Sequence, residues 1–218
     1  YLRPVVPEDE ERLLALFSRL SRHSVYLRFH HVLNQMSKEE AKRFCAVDYD
    51  NDFALAATLG DVGEERIIAV GHFYRMPVGD LAEAAFVVED AYQGKGIGSH
   101  LLEQLAVIAR EMGIRTFEAS VLSENREMMQ VLEHSGFYIA EELESGVYQM
   151  EMDLAPTPTV ERMSAEREKV ASIASLQAFL KPHSIAVIGA SQRKASIGNR
   201  IFHNLLQQEL NGVVYPVN

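Results

Sequence analysis

The stretch at residues 87–114, VVEDAYQGKGIGSHLLEQLAVIAREMGI, constrains the chain most. An apolar run, an acidic pair, three spaced glycines and an amphipathic segment follow one another without a break. That order reads as strand, tight loop and helix. A helix start leaves backbone N–H groups without partners and carries the positive end of the dipole. Gly94, Gly96 and Gly98 remove Cβ atoms at that place and permit positive φ. The run Gln93-Gly94-Lys95-Gly96-Ile97-Gly98-Ser99 therefore reads as a diphosphate cradle, with charge from Lys95 and a hydroxyl from Ser99. A tight turn alone would use the same glycines. Two common nucleotide loops are excluded. A Walker loop needs Gly-Lys followed directly by Ser or Thr, and here Gly96 follows Lys95. A dinucleotide site wants its fingerprint in a first βαβ unit, and the strands before this loop are not parallel crossovers.

The surrounding pattern sets the fold class. An extended start leads into a helix at EDEERLLALFSRLS, with Pro7, Glu8, Asp9 and Glu10 suited to a first turn. SKEEAKRFCAV reads as a helix opened by a Ser37/Glu40 capping box. DFALAATLG and ERIIAVGHFYRM read as strands joined by a turn at residues 60–63, and LAEAAFVVE as a third strand. After the glycine loop come a strand (TFEASVLSEN), a helix (REMMQVLEHSG) and a late strand (GVYQMEMDL). Helices alternate with strands that are partly adjacent in sequence, which predicts an α/β chain with a mixed sheet flanked by helices. APTPT then breaks the pattern. The expected organisation is one domain at residues 1–154, a linker and helix at 155–180, and at 181–218 a strand–loop–helix–strand unit too small for a domain. The chain opens on Tyr1 and closes on a strand, as a piece of a longer protein would.

Composition narrows the class further. A net charge of −10 argues against nucleic acid as the main partner. One cysteine, Cys45, allows no internal disulfide and points to a reducing, cytoplasmic setting. It reads as a buried thiol. No stretch is apolar enough to span a membrane. His30, His31, His72, His100 and His134 do not share metal-ligand spacing with carboxylates, so no metal is expected.

Gln93 to Gly98, with Asn125 in SENREMM and the HSGF run at 134–137, resembles the GNAT acetyltransferases in order and spacing over about 150 residues. The resemblance implies a mostly antiparallel sheet. It implies acetyl-CoA as cosubstrate, its pyrophosphate on the loop's N–H groups. It also implies a splayed strand at Phe86, Val87 and Val88 beside the pantetheine arm. Asn125 is an N-cap by position, and by resemblance also reaches the coenzyme. A narrower resemblance joins LRPVVPEDEERLLALFSRLSRHSVYLRF, VDYDNDFALAA and AEAAFVVEDAYQGKGIG to the Pat-type protein lysine acetyltransferases. SIAVIGAS, SIGNRIFHNLL and GVVYPVN resemble the opening of the Rossmann-like CoA-binding domain of NDP-forming acyl-CoA synthetases. The partner implied is a protein lysine, on an AMP-forming acyl-CoA synthetase, with the appended module regulatory.

Acetyl transfer to lysine needs a base, because only the free amine attacks. Glu83 is the candidate. A carboxylate inside the apolar strand LAEAAFVV must be solvated, paired or raised in pKa. The Pat-type resemblance puts the catalytic glutamate there; the bland reading is a strand-edge glutamate facing water. Glu118 is second, and reads as a partly exposed strand residue. Glu89 and Asp90 read as a solvated loop start pointing away from the diphosphate. Many GNAT members carry a tyrosine seven residues after the asparagine; Leu132 stands there, and Tyr138 is a doubtful substitute. A small-amine acetyltransferase and a non-catalytic acyl-CoA sensor are the competing readings.

Overall fold

The structure is a computed structural model. It describes residues 1–31, 36–61, 63–77, 79–180, 184–190, 196–207 and 213–217. Two compact units divide it, Tyr1–Ser164 and Ala165–Asn218.

The first unit is built on a seven-stranded sheet. Its strands are β1 (Leu2–Pro4), β2 (Asp52–Leu59), β3 (Arg66–Arg75), β4 (Leu81–Val88), β5 (Thr116–Leu122), β6 (Tyr138–Glu144) and β7 (Val147–Asp153). They run in the order β1-β2-β3-β4-β5-β7-β6. Every neighbouring pair is antiparallel except β4 with β5. The sheet is thus mixed and mostly antiparallel. The helices are α1 (Glu10–Arg19), α2 (Arg22–Phe29), α3 (Lys38–Cys45), α4 (Ile97–Glu111), α5 (Arg126–Glu133) and the start of α6 (Pro158–Leu180).

Period-2 alternation divides the strands between two cores. Leu55, Phe73, Ala84 and Phe117 turn to one face, where Leu101, Leu102, Leu105 and Ala109 of α4 meet them. Ala54, Ala56, Val70 and Val87 turn to the other, under Leu13, Leu16 and Phe17 of α1 and Cys45 of α3. The capping box forms as read: Glu40 N–H donates to Ser37 Oγ at 3.2 Å, and Ser37 N–H to Glu40 Oε2 at 2.7 Å. Burial pushes the Cys45 thiol up to about 12, with Asp9 and Glu10 adding to it, so it is an inert core group.

Asp9 locks the first turn to the sheet. It is fully buried and accepts from Arg3 at 2.7 and 2.8 Å, from Arg12 at 3.1 Å and from Val6 N–H at 3.0 Å. Burial raises its pKa, but the hydrogen bonds from Arg3 and Val6 outweigh that and hold it below the ordinary carboxylate range.

Two elements of this unit carry no reading from the sequence. α2 has Ser21 as N-cap, its hydroxyl accepting from Ser24 N–H at 3.1 Å. β6 pairs with β7 from Tyr138↔Asp153 to Glu144↔Val147. Both have weak periodicity: α2 buries only Ser24 and Val25, and every β6 residue but Ile139 is exposed.

The second unit contains the rest of α6, then β8 (Ser184–Ile188), α7 (Ile197–Gln207) and β9 (Val213–Val217). β8 and β9 pair in parallel across α7, a βαβ unit. Ile188, Val213 and Tyr215 remain exposed on it. The loop expected between β8 and α7 lies at residues 191–195, outside the described residues.

Candidate active site

β4 and β5 are paired only from Leu81↔Thr116 to Glu83↔Glu118. Beyond that point β4 continues to Val88 along β3, and β5 continues to Leu122 along β7. Neither has a partner on the side facing the other. The strands part, and a cleft of about 680 Å³ opens between them. Its wall is β4 from Glu83 to Val88, so Phe86, Val87 and Val88 all line it. Ser120 of β5 faces it from across the gap, and Met128 and Val131 of α5 close one side.

The glycine loop forms the cleft's end. Gly94 and Gly96 hold φ of 69° and 79°, a region costly for a residue with Cβ, and no side chain caps α4. The N–H groups of residues 94–99 take no acceptor among the described residues. Gln93, Gly94, Gly96, Ile97, Gly98 and Ser99 line the cleft with them. A run of unpartnered donors at the N-terminus of a 15-residue helix fits a diphosphate. Lys95 is turned back: its Nζ donates to Ala91 O at 2.9 Å and lies 4.8 Å from the Tyr92 ring centroid. The donors that the loop offers are therefore backbone N–H groups and not the Lys95 ammonium.

Asn125 caps α5, accepting from Met128 N–H at 3.1 Å, and also lines the cleft. Glu83 is exposed at the point where the strands part. Glu118 stands opposite it, outside the residues that line the cleft. Leu132 is 1% exposed, and Tyr138, 74% exposed, does not line the cleft.

The loop is held from behind by charge. Glu89 is 5% exposed and ion-paired with Arg19 at 3.0 Å and with Arg66. That corrects the reading of Glu89 as solvated: two guanidiniums replace water around it. Asp90 accepts from Ser21 N–H at 3.0 Å and from Ser24 Oγ at 2.9 Å. Burial raises the Asp90 pKa, and these serine bonds lower it by more. Gln93 Nε2 donates to Val88 O at 3.0 Å and to Ser24 Oγ at 3.2 Å. Loop and α2 are thus one hydrogen-bonded piece.

α2 adds a group that the sequence did not flag. Arg28 lines the cleft and donates from Nη2 to His72 Nε2 at 3.3 Å. Burial lowers its pKa, against the pull of Tyr74 and Glu83. His72 is 6% exposed, and burial with the Arg28 charge holds it neutral, well below the usual histidine range. Only its place on β3 shows this, since lone histidines and arginines carry no sequence signal. Among the described residues no three His, Cys, Asp or Glu side chains gather as metal ligands, and no helix is long and apolar enough to cross a membrane.

Comparison with known proteins agrees with this geometry. The chain is 36% identical over 165 residues to Acetyltransferase Pat of Mycolicibacterium smegmatis, across 73% of this chain. It spans 47% of that protein's length. The crystal structure of the GNAT domain of S. lividans PAT superposes with a TM-score of 0.64 at 37% identity, covering 70% of this chain and 89% of that one. A 44-residue stretch is 48% identical to Acetate–CoA ligase [ADP-forming] I subunit alpha of Pyrococcus furiosus, covering 20% of this chain and 10% of that protein. Residues 1–138 match the Acetyltransferase (GNAT) domain family. The chain belongs to the GNAT acetyltransferases, which transfer an acetyl group from acetyl-CoA to an amine.

Proposed function

We propose that this chain acetylates the Nε-amine of a protein lysine, with Glu83 as general base. The observation that carries the reading is the parting of β4 from β5 at Glu83, which opens the cleft directly beside that carboxylate. Acetyl-CoA supplies the activated acetyl group. The backbone N–H groups of residues 94–99 hold its pyrophosphate, with Lys95 contributing through its N–H alone. Phe86, Val87 and Val88 flank the pantetheine arm along the free edge of β4, and Asn125 lies across from them. Glu83, exposed at the open end, takes the proton from the incoming ammonium, and the neutral amine attacks the thioester. The thiol needs no dedicated acid: with an ordinary pKa of about 8.5 its thiolate departs tolerably.

The likeness to proteins named Pat supports a protein acceptor. Residues 181–218, which contain the βαβ unit, are read as the start of a synthetase-like, CoA-binding module. The acceptor that fits such a pairing is an AMP-forming acyl-CoA synthetase, switched off by acetylation of its active-site lysine. Incubating that synthetase with acetyl-CoA and this chain tests the reading. One added acetyl group by intact mass, with loss of synthetase activity, supports it. Turnover of small amines without transfer to the synthetase refutes it. Glu83→Gln is expected to lower kcat/KM about 10²- to 10⁴-fold while leaving acetyl-CoA affinity within about threefold. Unchanged turnover would remove Glu83 from the mechanism.

A further inference from the structure

On the sheet face that carries Glu83, α1 and α3 pack over β2 and β3, whereas Gln149, Glu151 and Asp153 of β7 and the residues of β6 on that face are exposed. Strand register places Glu83 of β4, Glu118 of β5 and Glu151 of β7 side by side across three neighbouring strands, all on one face. The next row along is Ser120, Gln149 and Glu142 of β6, and Asp153 stands two residues beyond Glu151. Gln149, Glu151, Asp153 and Glu142 are exposed, and Glu118 is half-buried. The opposite face of these strands holds Phe117, Val121, Met150 and Met152 in the core. A concavity of about 440 Å³ lies here, with Glu118, Glu142, Gln149 and Glu151 among its lining.

No Lys or Arg stands on this face at any of the positions in β4 to β7. None of its carboxylates joins an ion pair among the described residues. Like charges set directly opposite on adjacent strands are destabilising. Arg28 of α2 offsets this at Glu83, but among the described residues no cation is ion-paired with Glu118 or Glu151. Local arrangements that work against stability are expected where they serve a function. A concave face with one sign of charge focuses its field and draws the opposite charge toward it.

We propose that this bare face docks the segment flanking the acceptor lysine, and that the segment is basic. The claim rests on the reading that the acceptor is a protein lysine. The face is continuous with the cleft, because Glu83 belongs both to the carboxylate row and to the cleft wall. A lysine entering between β4 and β5 brings its neighbours in chain over β5, β7 and β6. Arginine or lysine there meets Glu118, Glu142 and Glu151; an acidic neighbour meets only repulsion. The face thus selects by attraction and by exclusion together.

The test uses three peptides with one central lysine flanked by Arg, Ala or Glu, with acetyl-CoA. The chain is expected to favour the Arg-flanked over the Glu-flanked peptide by on the order of tenfold in kcat/KM at low salt, and less at high salt. The double variant Glu142→Lys, Glu151→Lys is expected to abolish or reverse that preference. It should leave acetyl-CoA affinity unchanged, since both side chains lie outside the cleft, and should not lower the melting temperature, since Glu151→Lys turns a like-charge pair with Glu118 into an opposite-charge one. Equal rates on all three peptides, or a preference that survives the double variant, would overturn the docking face alone. Turnover of small amines with no transfer to any lysine peptide or protein would overturn the acceptor reading and the docking face with it.

Discussion

Gly71→Ala tests whether the core and the cleft are mechanically joined. Gly71 lies mid-strand in β3, opposite Phe86 of β4. A Cβ there would stand 2.7 Å from Phe86 Cδ1, 3.0 Å from Leu105 Cδ1 and 3.1 Å from Phe86 Cε1. Carbon atoms pack best at about 3.5–4.0 Å, so something must retreat by roughly 0.8 Å. Leu105 is fully buried in α4 and has nowhere to go. Phe86 is partly buried and borders the cleft, so its ring gives way into that space. Overpacking of this kind costs about 1–3 kcal/mol. Replacing a strand glycine offsets about 0.5–1 kcal/mol of that by restricting the unfolded chain. The middle of the two ranges leaves a net loss near ~1 kcal/mol, or a fall of about 2–4 °C in the melting of the first unit. Acetyl-CoA affinity falls in parallel, because the displaced ring narrows the channel for the pantetheine arm. Thermal melts with and without acetyl-CoA read both effects, since bound ligand raises the melting point in proportion to ln(1 + [L]/Kd). Adding Phe86→Leu to Gly71→Ala should recover part of both, with a coupling of about 0.5–3 kcal/mol. A variant that melts at or above the parent temperature with unchanged affinity would refute the transmission from β3 through Phe86 to the cleft.

Gly96→Val forces a β-branched residue to a φ of 79° and pushes its side chain into the cradle. Loss of even one charge-assisted N–H bond to phosphate, about 1.5–3 kcal/mol, is expected to raise the acetyl-CoA Kd about 10- to 150-fold by calorimetry; an unaltered Kd would place the diphosphate elsewhere. His72 stays neutral in the folded chain because burial and Arg28 depress its pKa, whereas the unfolded chain takes up the proton below about pH 6.5. Folding stability from urea titrations is therefore full above that pH. It falls below it by up to about 1.4 kcal/mol per pH unit until the folded pKa is reached. His72→Gln, facing the same Arg28, Phe44 and Tyr74, should flatten that slope between pH 6.5 and 5, and an identical slope in the variant would show that His72 does not cause it.

Elements with strong periodicity or punctuation were legible before any coordinates. The Ser37/Glu40 box, the amphipathic α1 and α4, the hairpin of β2 and β3 and the glycine loop all announce themselves locally. α2 did not, because its sequence RHSVYLRF makes no apolar stripe; its place comes from Ser21 and Ser24 binding Asp90 across 66 or more residues. β6 did not, because YIAEELE lies at the edge of the sheet and buries none of its residues. Glu89 looked like a solvated loop residue, since nothing local reveals that Arg19 and Arg66 close over it.

The same limit explains why the site's chemistry was only half legible. A glycine loop is a property of consecutive residues, and its free N–H groups follow from backbone geometry alone. The bare carboxylate face is a property of register between strands far apart in sequence. Glu83 meets Glu118 only because α4 carries the chain from β4 to a parallel β5, and Glu118 meets Glu151 only because β7, not β6, is the next strand in the sheet. The swap in strand order thus extends the acidic face outward from Glu83, a carboxylate that borders the cleft. Specificity for the acceptor's neighbours would then reside in topology, while coenzyme binding resides in a local loop, and the two can vary independently.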